Sequence, residues 1–191
     1  MAIGCGKVDA TVDAGPTRTV ACDATTHTVQ VLQNGNFDLT APAWSQVPAA
    51  PPSFLCGQPR ITPFDGEMSA CLGGTDGQTS TLTQTIALPA GATSLTLDGE
   101  ICIDTAETNP VDSDTLVFDI AVGDASIATL GMRSNQQGAH PCQFQKFTLQ
   151  APLTGATVPA TATLRLRSNL DTNNATSFYI DALSLTAACA P

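Results

Sequence analysis

The long apolar stretches of this chain repeat with a period of two. Thr79 to Leu88 sets Leu82, Ile86 and Leu88 on one face and threonines on the other. Ser94 to Ile103 sets Leu95, Leu97, Ile101 and Ile103 against Thr96, Asp98 and Glu100. Such alternation sends successive side chains to opposite faces of a strand, one dry and one wet. No segment keeps an amphipathic helical pattern over three turns. The chain must therefore build sheets, and half-buried sheets have to cover each other.

The remaining stretches extend the pattern. His27 to Gln33 reads as a first strand, Asn34-Gly35 as a turn, and Asn36 to Thr40 as a short strand with Phe37 and Asp38. A proline-rich irregular stretch, 41–66, holds Trp44 and Cys56. The single Trp44 could present a sugar platform, but apolar neighbours favour a core anchor. Strands are predicted over Glu67 to Leu72, Asp114 to Val122 (Leu116, Phe118, Ile120 and Val122 inward), Ser126 to Leu130 and Gln143 to Gln150. About ten strands separated by turn signals make an all-β chain, a two-sheet antiparallel sandwich.

The closing stretch, Thr161 to Ala187, carries the most local information. Leu164 and Leu166 alternate with Arg165 and Arg167. Beyond a polar turn at 169–174, Phe178 and Ile180 share one phase, and Leu183 and Leu185 resume one position out of step. An extra residue at Asp181-Ala182, a β-bulge, restores the apolar face. A carboxylate flanked by apolar side chains then needs a cation or hydrogen-bond donors.

The chain has 191 residues, enough for one domain and a tail: a flexible tether over 1–25 and a sandwich over 26–191. Only 13% of residues are charged, and the net charge is −10. The seven basic residues are scattered, which excludes a nucleic-acid partner. Seven cysteines point to an oxidising compartment. Without a CxxC pair, and with two histidines, zinc is excluded.

No HExxH or GxSxG motif occurs, and His27 and His140 are far apart. Asp98 and Glu100 share one strand face and read as surface, or as a second weak cation site. Asp104 and Asp114 read as strand ends, and Asp112, Asp171 and Asn173 as loop residues without an EF-hand pattern. No catalytic residue is expected.

Ala2-Ile3-Gly4-Cys5 resembles the end of a bacterial lipobox, with Ala2 in place of the usual Leu. The resemblance implies lipidation of Cys5, which accounts for the odd cysteine. No secretory leader is present, so the chain reads as already trimmed. The expected location is the bacterial cell envelope, lipid-anchored, or the extracellular space. Membrane contact would come only through that lipid.

LQNGNFD, AWSQVP, PFDGEMSACLGG, STLTQTIALPAGATSLTLDG, DTLVFDIAV, TATLRLRSN and SFYIDALSL occur in this order. Together they resemble the galactose-binding-like jelly roll of bacterial carbohydrate-binding modules, over about Val29 to Thr186. The resemblance implies a disulfide-stapled jelly roll that binds a glycan. The alternative is a structural or protein-interaction module, adhesin-like, whose partner is a cell-envelope protein. It also implies a structural calcium held by the Asn36 carbonyl, Asp38, the Asp65-Gly66 turn and Asp181. The chain departs from the family at Ala182, commonly a second Asp, and at Cys71, commonly an aromatic.

In such a jelly roll the first and last strands lie close, which implies Cys22 paired with Cys189. Cys56 with Cys71 and Cys102 with Cys142 then complete one scheme. The crossed alternative joins Cys56 to Cys102 and Cys71 to Cys142.

Overall fold

The structure is a computed structural model that describes residues 20–38, 43–48, 54–108, 111, 113–153 and 158–190. Cys5, Asp112 and most of the proposed tether lie outside these residues. The strands are β1 (Thr28–Gln30), β2 (Ser45–Val47), β3 (Leu55–Cys56), β4 (Ser69–Gly73), β5 (Thr79–Ala87) and β6 (Ala92–Asp104). They continue with β7 (Thr115–Val122), β8 (Ala125–Ser134), β9 (Gln145–Pro152), β10 (Thr161–Asn169) and β11 (Ser177–Cys189). A single 3-10 turn, Asn135–Gln137, follows β8.

Two antiparallel sheets face each other. One has the order β3-β4-β11-β6-β9, with β1 also paired to β11; the other has the order β2-β5-β10-β7-β8. The period-two faces meet between them. Leu82, Leu95, Leu97, Leu116, Phe118, Ile120, Leu164, Leu166, Phe178, Ile180 and Leu185 are fully buried. Each such side chain contributes roughly 1.5–3 kcal/mol relative to exposure. Trp44 is buried as a core anchor, its ring 5.3 Å from that of Phe37, and its indole N–H donates to the Asn34 carbonyl at 2.9 Å.

β11 organises the larger sheet. Along one edge it pairs first with β4, through Ser177–Ile180, and later with β1, through Thr186–Ala188. Its other edge runs beside β6, with a register shift between Asp181 and Ser184. Ala182 has φ 49°, the left-handed backbone of a bulge. The bulge therefore fills the gap between β4 and β1, where the turn before Asp38 and the loop before β4 also arrive.

Two expectations need correction. Asn36 to Asp38 do not form a strand: Gly35 and Asn36 form a turn, and Phe37 has φ 60°, which points its ring into the core. Val122 is 44% exposed, because β7 ends at the Gly123-Asp124 turn and the register beside β8 shifts between Ile120 and Ala121.

Three disulfides, Cys22–Cys189, Cys56–Cys71 and Cys102–Cys142, have Cα separations of 6.3, 6.1 and 5.5 Å. These lie in the usual range for disulfides. All three anchor the six-stranded sheet or the segments entering it. Such bonds persist in an oxidising setting, which places the chain in the extracellular space or the cell envelope.

Candidate functional site

The residues expected to hold calcium do converge, and their donors define what they do. Asp181 is fully buried. One of its oxygens, Oδ2, accepts from the Phe64 and Asp65 amides at 2.9 and 3.2 Å and from the Ser69 hydroxyl at 3.0 Å. Its other oxygen, Oδ1, accepts from the Ala182 amide at 2.7 Å. Burial pushes the Asp181 pKa up, and these four bonds oppose the shift.

Asp38 Oδ1 accepts from the Glu67 and Met68 amides at 2.7 and 3.1 Å, and Oδ2 from the Asn36 side-chain amide at 3.2 Å. Gly66, at φ 64°, lies so close to the Asp38 carboxylate that a Cβ there would collide with it. The loop at 64–68 is thus pinned by two carboxylates through its own N–H groups. Hydrogens converge on these oxygens, and a cation is repelled by such donors. As arranged, the set does not fit a calcium ion at Asp181. Among the described residues no group of three or more His, Cys, Asp or Glu could hold a metal.

Other carboxylates are also engaged. Asp98 accepts from the Thr148 hydroxyl at 2.6 Å, and His140 Nδ1 lies 2.6 Å from Asp104. Asp114, read from sequence as a strand end, is fully buried and receives the Asp171 and Thr176 amides, both at 2.8 Å. Asp119 is buried on the outer face of the five-stranded sheet under Arg165 and Arg167, at 2.8 and 3.3 Å. The two arginines are therefore not simply a wet face.

A cleft of about 290 Å³ opens where the edge strands β8 and β9 approach each other. Arg133, Gln137, Gln143, Gln145 and Lys146 line it, above Phe147. Its outer wall is held firmly. Cys102–Cys142 ties the segment before β9 to β6, and the Ala139 amide donates to the Ile103 carbonyl at 3.0 Å. Gly138 packs so closely on Ile103 and Thr105 that a side chain there would displace the wall. A rigid polar cleft of this size sits near the lower end of the small-molecule range, roughly 300 Å³.

Sequence reasoning singled out none of these residues. Alternation read onward from Leu130 would turn Arg133 outward; only the register shift beside β8 brings it to the inward face, opposite the fully buried Leu116.

No family model matches the chain, and no curated protein matches it in sequence. Solved structures do resemble it. The Stig cyclase Fisc from Fischerella sp. TAU, in complex with (3Z)-3-(1-methyl-2-pyrrolidinylidene)-3H-indole, has a TM-score of 0.59 at 16% identity. That match covers 86% of this chain and all of that one, 100%. TmCBM61 in complex with β-1,4-galactotriose has a TM-score of 0.54 at 11% identity, covering 82% of this chain and 97% of the module. A family 16 carbohydrate-binding module has a TM-score of 0.52 at 17% identity, covering 81% and 97%. At these identities the likeness is one of fold, and one fold here carries both an enzyme and binding modules. The chain is a disulfide-stapled, two-sheet antiparallel jelly-roll sandwich, with the architecture of carbohydrate-binding modules.

Proposed function

We propose that this chain is a non-catalytic glycan-binding module of the cell envelope or extracellular space, and that the cleft between β8 and β9 is its sugar site. The observation that carries this reading is the cleft wall. Three glutamines, Gln137, Gln143 and Gln145, stand around one opening whose outer rim is fixed by a disulfide. Gln143 and Gln145 carry both donors and acceptors, and Gln137, whose Oε1 accepts from the Ser134 amide at 3.1 Å, adds N–H donors; the set matches the paired character of sugar hydroxyls. A preformed wall also lowers the ordering cost of binding. Fold likeness to carbohydrate-binding modules agrees with it.

The test is affinity electrophoresis against a panel of neutral and acidic polysaccharides. At least one polysaccharide should retard the wild type, and Gln143→Ala/Gln145→Ala should abolish the retardation with an unchanged melting temperature. A panel that retards nothing refutes the reading.

A second reading, protein contact by strand addition, rests on β8. This ten-residue strand ends its sheet and exposes its own Met132. In either reading we propose a lipid on Cys5 as the anchor. Detergent-phase partitioning of the wild type that Cys5→Ser abolishes is the expected result.

A further inference from the structure

The cleft is basic, whereas the chain as a whole is acidic. The protein carries 17 acidic and seven basic residues, yet two cations and no carboxylate line this opening. Lys146 stands across the ladder from Glu100, which places an acid on the neighbouring strand. Arg133 is different. Its Cα partner is the fully buried Leu116, and two residues earlier Gly131 pairs with Phe118 and packs against Leu149. Arg133 therefore occupies the inward face of the sandwich, at its open end.

Its guanidinium carbon lies 5.6 Å from the centre of the Phe147 ring, which fixes the side chain over the cleft floor. Its Nη1 donates to the Met132 carbonyl at 2.9 Å. The ion pairs among the described residues join His140 to Asp104, and Arg165 and Arg167 to Asp119; none includes Arg133. A partly desolvated cation with one neutral acceptor is left electrostatically unfinished. Burial accordingly lowers the Arg133 pKa, with no opposing acid.

Building on the glycan-binding reading, we propose that the cleft selects an acidic sugar, with Arg133 receiving the carboxylate of a uronic acid residue and the glutamines receiving its hydroxyls. A guanidinium presents parallel N–H donors that match both oxygens of a carboxylate, a geometry an ammonium cannot copy. The net acidic chain repels anions in general, so a basic cleft free of carboxylates is a favourable place for an acidic ligand.

The test compares oligogalacturonate with galacto-oligosaccharide of the same length and linkage by calorimetry on the wild type. The two differ by a carboxylate in place of a hydroxymethyl group, so no variant is needed for this arm. The acidic oligomer should bind tenfold or more tightly, the factor of one charge-assisted hydrogen-bond pair. Arg133→Gln should remove that preference, and Arg133→Lys should restore only part of it.

Equal or better binding of the neutral oligomer overturns the acidic assignment and leaves the glycan-binding reading standing. Binding of the acidic oligomer that Arg133→Gln leaves unchanged places the ligand elsewhere and overturns the site. Binding only of a sulfated oligomer overturns the carboxylate. Failure of every oligomer to bind refutes both proposals.

Discussion

Removing the Cys22–Cys189 bridge should destabilise the protein more than its position near the ends implies. The bond closes a loop of 167 residues, against 15 for Cys56–Cys71 and 40 for Cys102–Cys142. In the chain-entropy picture these loops contribute roughly 5, 3 and 4 kcal/mol. Both shorter loops lie inside the long one, and their bonds shorten the effective circuit to roughly 110 residues, which lowers the first figure only to about 4.8 kcal/mol. Cys102 is fully buried, so its replacement also loses packing and blurs a comparison by stability alone.

The denatured state gives a second reading. Cys22→Ala/Cys189→Ala should raise the urea m-value, because the unfolded chain is freed from a near-complete circle and exposes more surface. Cys56→Ala/Cys71→Ala should leave m nearly unchanged, since a 15-residue loop compacts the chain very little. The assay is equilibrium urea unfolding of both double variants under non-reducing conditions. A loss below about 2 kcal/mol for Cys22→Ala/Cys189→Ala, with m equal to wild type, would refute the denatured-state argument.

Excess EDTA should leave the melting temperature of protein purified with calcium unchanged, because amide hydrogens already satisfy Asp181; a fall would restore the calcium expectation. The pH dependence follows from the same residue. Its folded pKa is raised above the ordinary 3.8, so its contribution is full below that value and is lost as pH rises through the raised one. Asp181→Asn should flatten that part of the stability–pH curve, and an unchanged slope in chemical denaturation would contradict it. Asp119→Ala should cost about 3 kcal/mol, because it leaves Arg165 and Arg167 close together without their shared anion; thermal and urea unfolding check this, and a loss within 0.5 kcal/mol, about the scale of a neutral surface change, would contradict it.

Alternation made the sandwich legible. Leu164 and Leu166 face inward and Arg165 and Arg167 outward because a pleat leaves no other arrangement. The bulge at Asp181-Ala182 was legible for the same reason, since a slip of one position has one local remedy. The cleft was not legible. Register shifts beside β8, between Phe118 and Asp119 and between Ile120 and Ala121, break its alternation, so the predicted strand stops at Leu130 and Arg133 loses its phase. The burial of Asp119 depends on arginines brought from β10, 46 and 48 residues away, and no local pattern encodes that. The turn at Phe37 carries an apolar residue that a strand would carry equally well.

The Cys22–Cys189 bond also determines how the molecule answers a pull on its two ends. Tension applied beyond residues 22 and 189 travels through one covalent bond and bypasses both sheets. The sandwich would stay folded under a load that shears ordinary β-domains apart. Reduction would put 167 residues back into the load path, a reserve of roughly 55–60 nm at about 3.3–3.6 Å per residue. The intact protein thus behaves as an inextensible link, and a thiol reductant turns it into a spring.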